Sequence, residues 1–176
     1  MMDIFRAFSA DLDVSLLVVQ HMPPIFTKSL ADSLNRVSAL TVKEAEDGEV
    51  LQVNHAYVAP GGLQMKVEHH GAQVKIRITD DPAENYCKPA VDYLFRSIAT
   101  VFESKAIAVI MSGMGRDGTL GLKLMKRHGA TVFGQDESSC VVYGMPRAAM
   151  EAGVVDRELP LDKLSAAIEQ MLANGN

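Results

Sequence analysis

The sequence predicts one α/β domain, a doubly wound and mostly parallel sheet with helices on both faces and a small antiparallel hairpin. Three observations carry this. The apolar runs at 16–19 and 106–111 are short, continuous and rich in Val, Ile and Leu, the pattern of strands buried on both faces. They alternate with segments whose apolar residues recur at helical spacing, which indicates parallel strands joined by helices. The chain has 176 residues, 48% hydrophobic and 22% charged, enough for one substantial core and cramped for two.

The elements follow in order. Residues 14–20 read as a buried strand stopped by His21-Met22-Pro23-Pro24. A helix from about Pro24 carries Phe26, Leu30 and Leu34 at helical spacing, and 41–45 form a second short strand. Ala56-Tyr57-Val58-Ala59 is a strand ending at the turn Pro60-Gly61-Gly62. Residues 65–68 and 73–78 flank His69-His70-Gly71-Ala72 as an antiparallel hairpin, and 80–88 form a polar loop. Pro89 suits the first turn of a helix with Val91, Leu94, Phe95, Ile98, Val101 and Phe102 on one face. A strand at 106–111, a helix at 118–128 and a strand at 130–133 come next. A short helix opened by Gly144-Met145-Pro146 and an amphipathic helix at 161–172 close the chain. Lys123, Lys126, Arg127 and His128 fall in a last helical turn, where cations complement the dipole, with Gly129 as terminator.

Composition narrows the function. Net charge is −5, so no overall positive field draws the chain to nucleic acid. Cys87 and Cys140 stand in no Cys-x-x-Cys or Cys/His spacing, which speaks against a disulfide scaffold or structural zinc and suits a reducing cytoplasm. The start has no signal-peptide pattern, and the apolar runs are too short for membrane insertion.

In such sheets ligands sit beyond the carboxyl ends of the strands. The loops there are 20–23, 59–62, 112–119 and 135–139. Gly113-Met114-Gly115-Arg116-Asp117-Gly118 is a literal Gly-x-Gly-x-x-Gly between a strand and a helix, with Asp136 further on. Asp117 argues against a dinucleotide, since its charge would face the diphosphate across poorly screened space. The loop fits better if Asp117 is the working group, a carboxylate held at a helix start that can orient a histidine; a plain helix cap is the simpler alternative. His21 terminates a buried strand at the same sheet edge, which makes the two a candidate pair. His55, His69, His70 and His128 lie elsewhere, and His69 and His70, adjacent on a strand, point to opposite faces.

Five segments occur in register: Val18-Val19-Gln20-His21-Met22-Pro23, Lys43-Glu44-Ala45-Glu46-Asp47-Gly48-Glu49, Tyr57-Val58-Ala59-Pro60-Gly61, Gly113-Met114-Gly115-Arg116-Asp117-Gly118, and Ser139-Cys140-Val141-Val142-Tyr143-Gly144-Met145-Pro146. Together they resemble the catalytic domain of the bacterial chemotaxis protein-glutamate methylesterases (CheB), from about Asp11 to the last helix. The resemblance implies a Ser-His-Asp hydrolase that removes methyl groups from glutamate methyl esters on the cytoplasmic helices of chemoreceptors, with glutamine deamidation as a second activity. His21 then matches the general base, Asp117 the triad acid, and the Met114 backbone a candidate oxyanion donor. Neither metal nor organic cofactor is implied.

The resemblance also implies a preceding strand and a Gly-x-Ser-x-Gly-Gly turn carrying the nucleophile, which residues 1–176 do not contain. The expectation is therefore a single catalytic domain over 1–176 that lacks this first strand and a receiver domain. Ser9, expected in the first helix, and Ser15, inside a strand, lack the flanking glycines of an elbow, and nothing in the sequence activates Ser112 or Ser139. A non-catalytic receptor-binding remnant of the same fold is the alternative. A missing strand would leave a gap in the sheet, and self-association with a second copy is one way to cover it.

Overall fold

The computed structural model describes residues 1–174. Helix α1 (Met2–Ala7) leads to strand β1 (Leu16–Val18), helix α2 (Pro24–Asn35) and strands β2 (Thr41–Glu44) and β3 (His55–Val58). Strands β4 (Gln64–His70) and β5 (Gln73–Thr79) form the hairpin, followed by helix α3 (Val91–Val101). Then come β6 (Ile107–Ile110), α4 (Thr119–Arg127), β7 (Thr131–Gln135), α5 (Met145–Glu151), β8 (Arg157–Leu159) and α6 (Leu161–Ala173). Among the described residues no helix is long and apolar enough to cross a membrane.

The strands form two parallel three-stranded sheets, ordered β1-β3-β2 and β6-β7-β8, beside the antiparallel β4-β5 pair. Each parallel sheet is covered on both faces, as alternating side chains require. Leu17, Tyr57 and Ala59 pack on the hairpin and Leu94 of α3, whereas Leu16, Val18, Ala56 and Val58 pack on α1 and α2. In the second sheet Ala108, Ile110 and Val132 face α3, α4 and α5, and Ile107, Val109 and Phe133 face α1 and α6.

Several local expectations shift. The hairpin turn is Gly71-Ala72, with His70 opposite Gln73, so His69 and His70 are strand residues, both exposed. Helix α2 buries Leu34 as its spacing predicts, but in the first two turns the buried positions are Thr27 and Ala31, and Phe26 stands 48% exposed. Pro89 precedes α3 by two residues, and Ala90 is its cap. Strand β8, only three residues long, is too short to produce a periodic signal.

Strand β1 pairs with β3, and β6 with β7, but β1 and β6 do not pair with each other. Between them lies a cavity of about 190 Å³, lined by Phe5 and Phe8 from one face of the sheet, Leu94 from the other, and His21 and Gly113.

Candidate active site

His21 sits three residues beyond β1, where Pro23 and Pro24 turn the chain into α2. Asp117 sits seven residues beyond β6, in the loop that opens α4. The fold brings them together: His21 Nε2 lies 2.8 Å from Asp117 Oδ2. The Asp117 side chain is 2% exposed and the His21 ring 29%.

The carboxylate is anchored by a helix other than its own. Asp117 Oδ2 accepts from the backbone N–H of Val91 at 2.7 Å, and Oδ1 from that of Asp92 at 3.1 Å. These are first-turn donors of α3, so Asp117 completes the N-terminus of α3, not of α4 as the sequence suggested. Gly118 caps α4 in a left-handed conformation, φ +93°, and a Cβ there would stand 2.8 Å from the Val91 side chain. Further along, Gly121 lets α4 close on α3, since a Cβ would meet Phe95 at 2.5 Å. Gly118 and Gly121 thus serve the packing that holds Asp117 against α3, which accounts for the last glycine of the Gly-x-Gly-x-x-Gly run without a nucleotide.

Asn85, from the polar loop before α3, is a site residue the sequence did not reveal. Its side-chain amide donates to Asp117 Oδ1 at 3.0 Å and to Asp92 Oδ2 at 2.9 Å, bridging two buried carboxylates. Asp92 also accepts from the Gly121 N–H at 2.7 Å. Asn85 and Tyr86 both hold positive φ, +51° and +62°, so the loop is locally strained where it reaches the site. No motif marks this; the only local hint is Asn, a residue that tolerates that conformation.

The electrostatics separate the two carboxylates. Burial would raise the pKa of Asp117, but hydrogen bonds from His21, the Val91 and Asp92 N–H groups and Asn85 outweigh it and hold the value below that of an ordinary aspartate. Burial raises Asp92, against the Gly121 and Asn85 hydrogen bonds, and the charge of Asp117 adds to the rise. An ionised Asp117 only accepts, so His21 Nε2 is the donor. In the neutral ring Nδ1 is then the proton acceptor, and among the described residues it has no hydrogen-bond partner. Chemically, such a pair can receive a proton at Nδ1, with the carboxylate beside the imidazolium that results.

The Cys87 thiol shares this corner, since His21, Cys87 and Asp117 each offer an atom within 4.8 Å of the others. Both Asp117 oxygens already accept two hydrogen bonds, so the carboxylate is matched to donors and not to a cation. Burial and then the nearby Asp117 charge push the Cys87 thiol up, which disfavours the thiolate a nucleophile or metal ligand needs.

The serines go elsewhere. Ser9 lies past the end of α1, contrary to its expected place within that helix, and its N–H donates to Glu169. Ser15 Oγ donates to the Gln52 carbonyl at 2.8 Å, before β1. Ser112 Oγ accepts from the Val142 N–H at 3.0 Å, and Ser139 Oγ is held by Asp136 and the Leu161 N–H. Met114 is 82% exposed, and its backbone lies against Gly144. The Gly113 carbonyl accepts from the N–H groups of Gly144 and Met145, which fixes the loop that carries Met114.

Residues 1–168 match the family model described as CheB methylesterase. A protein-glutamate methylesterase/protein-glutamine glutaminase of Desulfotalea psychrophila is 54% identical over 90% of this chain and 44% of its own length. The protein of that name from Geobacillus kaustophilus is 51% identical over 92% of this chain and 47% of its own. The chain thus spans less than half the length of these curated relatives. The crystal structure of the Thermotoga maritima CheB methylesterase catalytic domain superposes with a TM-score of 0.94 at 40% identity, covering 96% of this chain and 89% of that one.

Proposed function

The chain belongs to the CheB methylesterase family, and from that premise we propose that it carries the base and the orienting acid of a protein-glutamate methylesterase, a carboxylic ester hydrolase. The substrates would be glutamate methyl esters on chemoreceptor cytoplasmic helices, with glutamine side chains as a second group. The observation that carries this reading is the 2.8 Å contact of His21 Nε2 with a buried Asp117 whose ionised form is stabilised by four hydrogen bonds.

In this reading a serine hydroxyl at His21 Nδ1 gives its proton to the ring as its oxygen attacks the ester carbonyl. The imidazolium, stabilised by Asp117, returns the proton to the departing methoxide, and methanol leaves. Water then repeats the cycle on the acyl-serine and restores the hydroxyl. For glutamine the leaving group is ammonia. The Met114 N–H is the proposed donor to the oxyanion. Because Ser9, Ser15, Ser112 and Ser139 are bonded elsewhere or remote, the hydroxyl is proposed to come from outside these residues. The same observation favours the second reading, a receptor-binding domain without chemistry.

Methanol release from methylated receptor fragments tests the pair. With a Gly-x-Ser-x-Gly-Gly segment joined ahead of Met1, turnover is expected, and His21→Ala should abolish it. Turnover indifferent to His21→Ala would overturn the role of the pair. No turnover but intact receptor binding would establish the non-catalytic reading.

A further inference from the structure

A two-residue hairpin turn reaches the site from the loop before α3. Glu84 and Cys87 exchange both backbone hydrogen bonds, at 3.1 and 2.7 Å, with Asn85 and Tyr86 as the turn between them. Positive φ at both central residues, +51° and +62°, marks the mirror-image turn that closes tight hairpins, and Asn suits its first position.

The four donors to Asp117 are divided evenly. Each carboxylate oxygen takes one backbone N–H of α3 and one side chain: Oδ2 the Val91 N–H and His21, Oδ1 the Asp92 N–H and Asn85. Asn85 is thus the counterpart of His21 on the other oxygen. Without its amide, Oδ1 has a free lone pair, and the ring N–H can divide between two acceptors. The Asn85 carbonyl also accepts from the Cys87 thiol at 3.4 Å, which engages the nearest competing donor.

Packing does not hold this amide, because Asn85 is itself exposed. Fixing an exposed side chain costs rotamer entropy, and two attachments to α3 offset it. On the inner side, buried Asp92 accepts from the amide at 2.9 Å. On the outer side, Arg96 donates from both terminal nitrogens to the two oxygens of Glu84, one of them at 2.7 Å. Asp92 and Arg96 stand one helical turn apart, so adjacent residues of the hairpin are fastened to one face of α3. The first turn of that helix also supplies the backbone donors of Asp117, which makes α3 the common platform of hairpin and carboxylate.

We propose that Asn85 is a positioning residue for ester hydrolysis. Clamped to α3 through Glu84 and Arg96, it occupies Asp117 Oδ1, so that Oδ2 alone accepts from His21 Nε2 and Nδ1 stays turned to the nucleophile. The link to hydrolysis rests on the esterase reading above; the hold on the ring does not.

The test has two readouts. Nitrogen-15 spectra of the chain, at a pH where the His21 ring is neutral, report which ring nitrogen carries the proton. Asn85→Gly removes the amide and suits the positive φ. A single Nε2–H form is expected with Asn85 present and a mixture of both tautomers in Asn85→Gly. Glu84→Ala, which leaves every side chain of the site in place, should give a lesser mixture. With the Gly-x-Ser-x-Gly-Gly segment joined, Asn85→Gly should lower kcat at least about tenfold and leave KM for methylated receptor fragments within about twofold. A merely structural Asn85 would lower the unfolding midpoint and leave tautomer and kcat alone, and that result would overturn the proposal. So would an unchanged ring spectrum in Glu84→Ala, which decides the matter if Asn85→Gly does not fold, or a loss carried by KM instead of kcat. If the joined chain with Asn85 intact shows no turnover, the esterase reading fails while the ring spectra still decide what Asn85 holds.

Discussion

His21 Nε2 and Asp117 Oδ2 stand 2.8 Å apart although 96 positions separate them in the sequence. The carboxylate reaches the ring from the loop before α4 while it caps the first-turn N–H groups of α3, so ring orientation and helix docking share one anchor.

Asp117→Ala should therefore cost more stability than loss of one ion pair. It leaves the N–H groups of Val91 and Asp92 buried without an acceptor, at about 1–3 kcal/mol each. Asp117→Asn keeps one acceptor oxygen and should cost less. Urea denaturation of both variants checks the order, and equal effects would remove the capping role.

The acid limb of stability carries opposite signs for the two buried aspartates. Asp117 is depressed below its ordinary value of 3.8, so its stabilisation is present above that value and is lost as pH falls through the lower folded pKa. Asp92 is raised, so its contribution improves as pH falls from its folded pKa toward 3.8. Asp117→Asn should flatten the loss of stability at low pH, and Asp92→Asn should steepen it, read by thermal melts as a function of pH.

Asn85→Asp puts a third carboxyl against two others. At neutral pH it should destabilise markedly, by about 1–3 kcal/mol from the lost hydrogen bonds alone, and less at acid pH, where protonation relieves the repulsion. Asn85→Ala should lack that recovery at low pH. Denaturant midpoints at the two pH values separate the variants.

Gly118→Ala forces a Cβ to φ +93° and to within 2.8 Å of the Val91 side chain. A loss of at least about 2 kcal/mol is expected. His21 ring resonances should shift as well, since the strain falls on the contact that holds Asp117. An unchanged melting curve would mean α4 is free to move off α3.

Tyr143 donates to a Glu158 carboxylate oxygen at 2.6 Å, and that hydrogen bond, with burial behind it, pushes the phenol up to about 12. Glu158→Gln should return it toward the ordinary value near 10, seen as a phenolate absorbance step at lower pH.

The alternation of strand and helix was legible because each element has its own period, two or 3.6, written in consecutive residues. That is why the strand after residue 14, the helix bearing Leu94 and Phe95, and the last helix appear where the pattern puts them. His21 and Asp117 were legible as a candidate pair for a related reason: parallel strands send their carboxyl ends to one edge, so strand-end residues converge wherever they lie in sequence. The sequence alone thus determined the fold class, the sheet edge to inspect and the candidate pair that meets there. Tertiary structure decided the rest. It showed that Asp117 caps α3 in place of its own helix, that Asn85 ties it to Asp92, and that the two sheets stay apart at β1 and β6. These are contacts between segments far apart in the chain, set by how helices dock and which strand edges meet, and local periodicity carries no information about either.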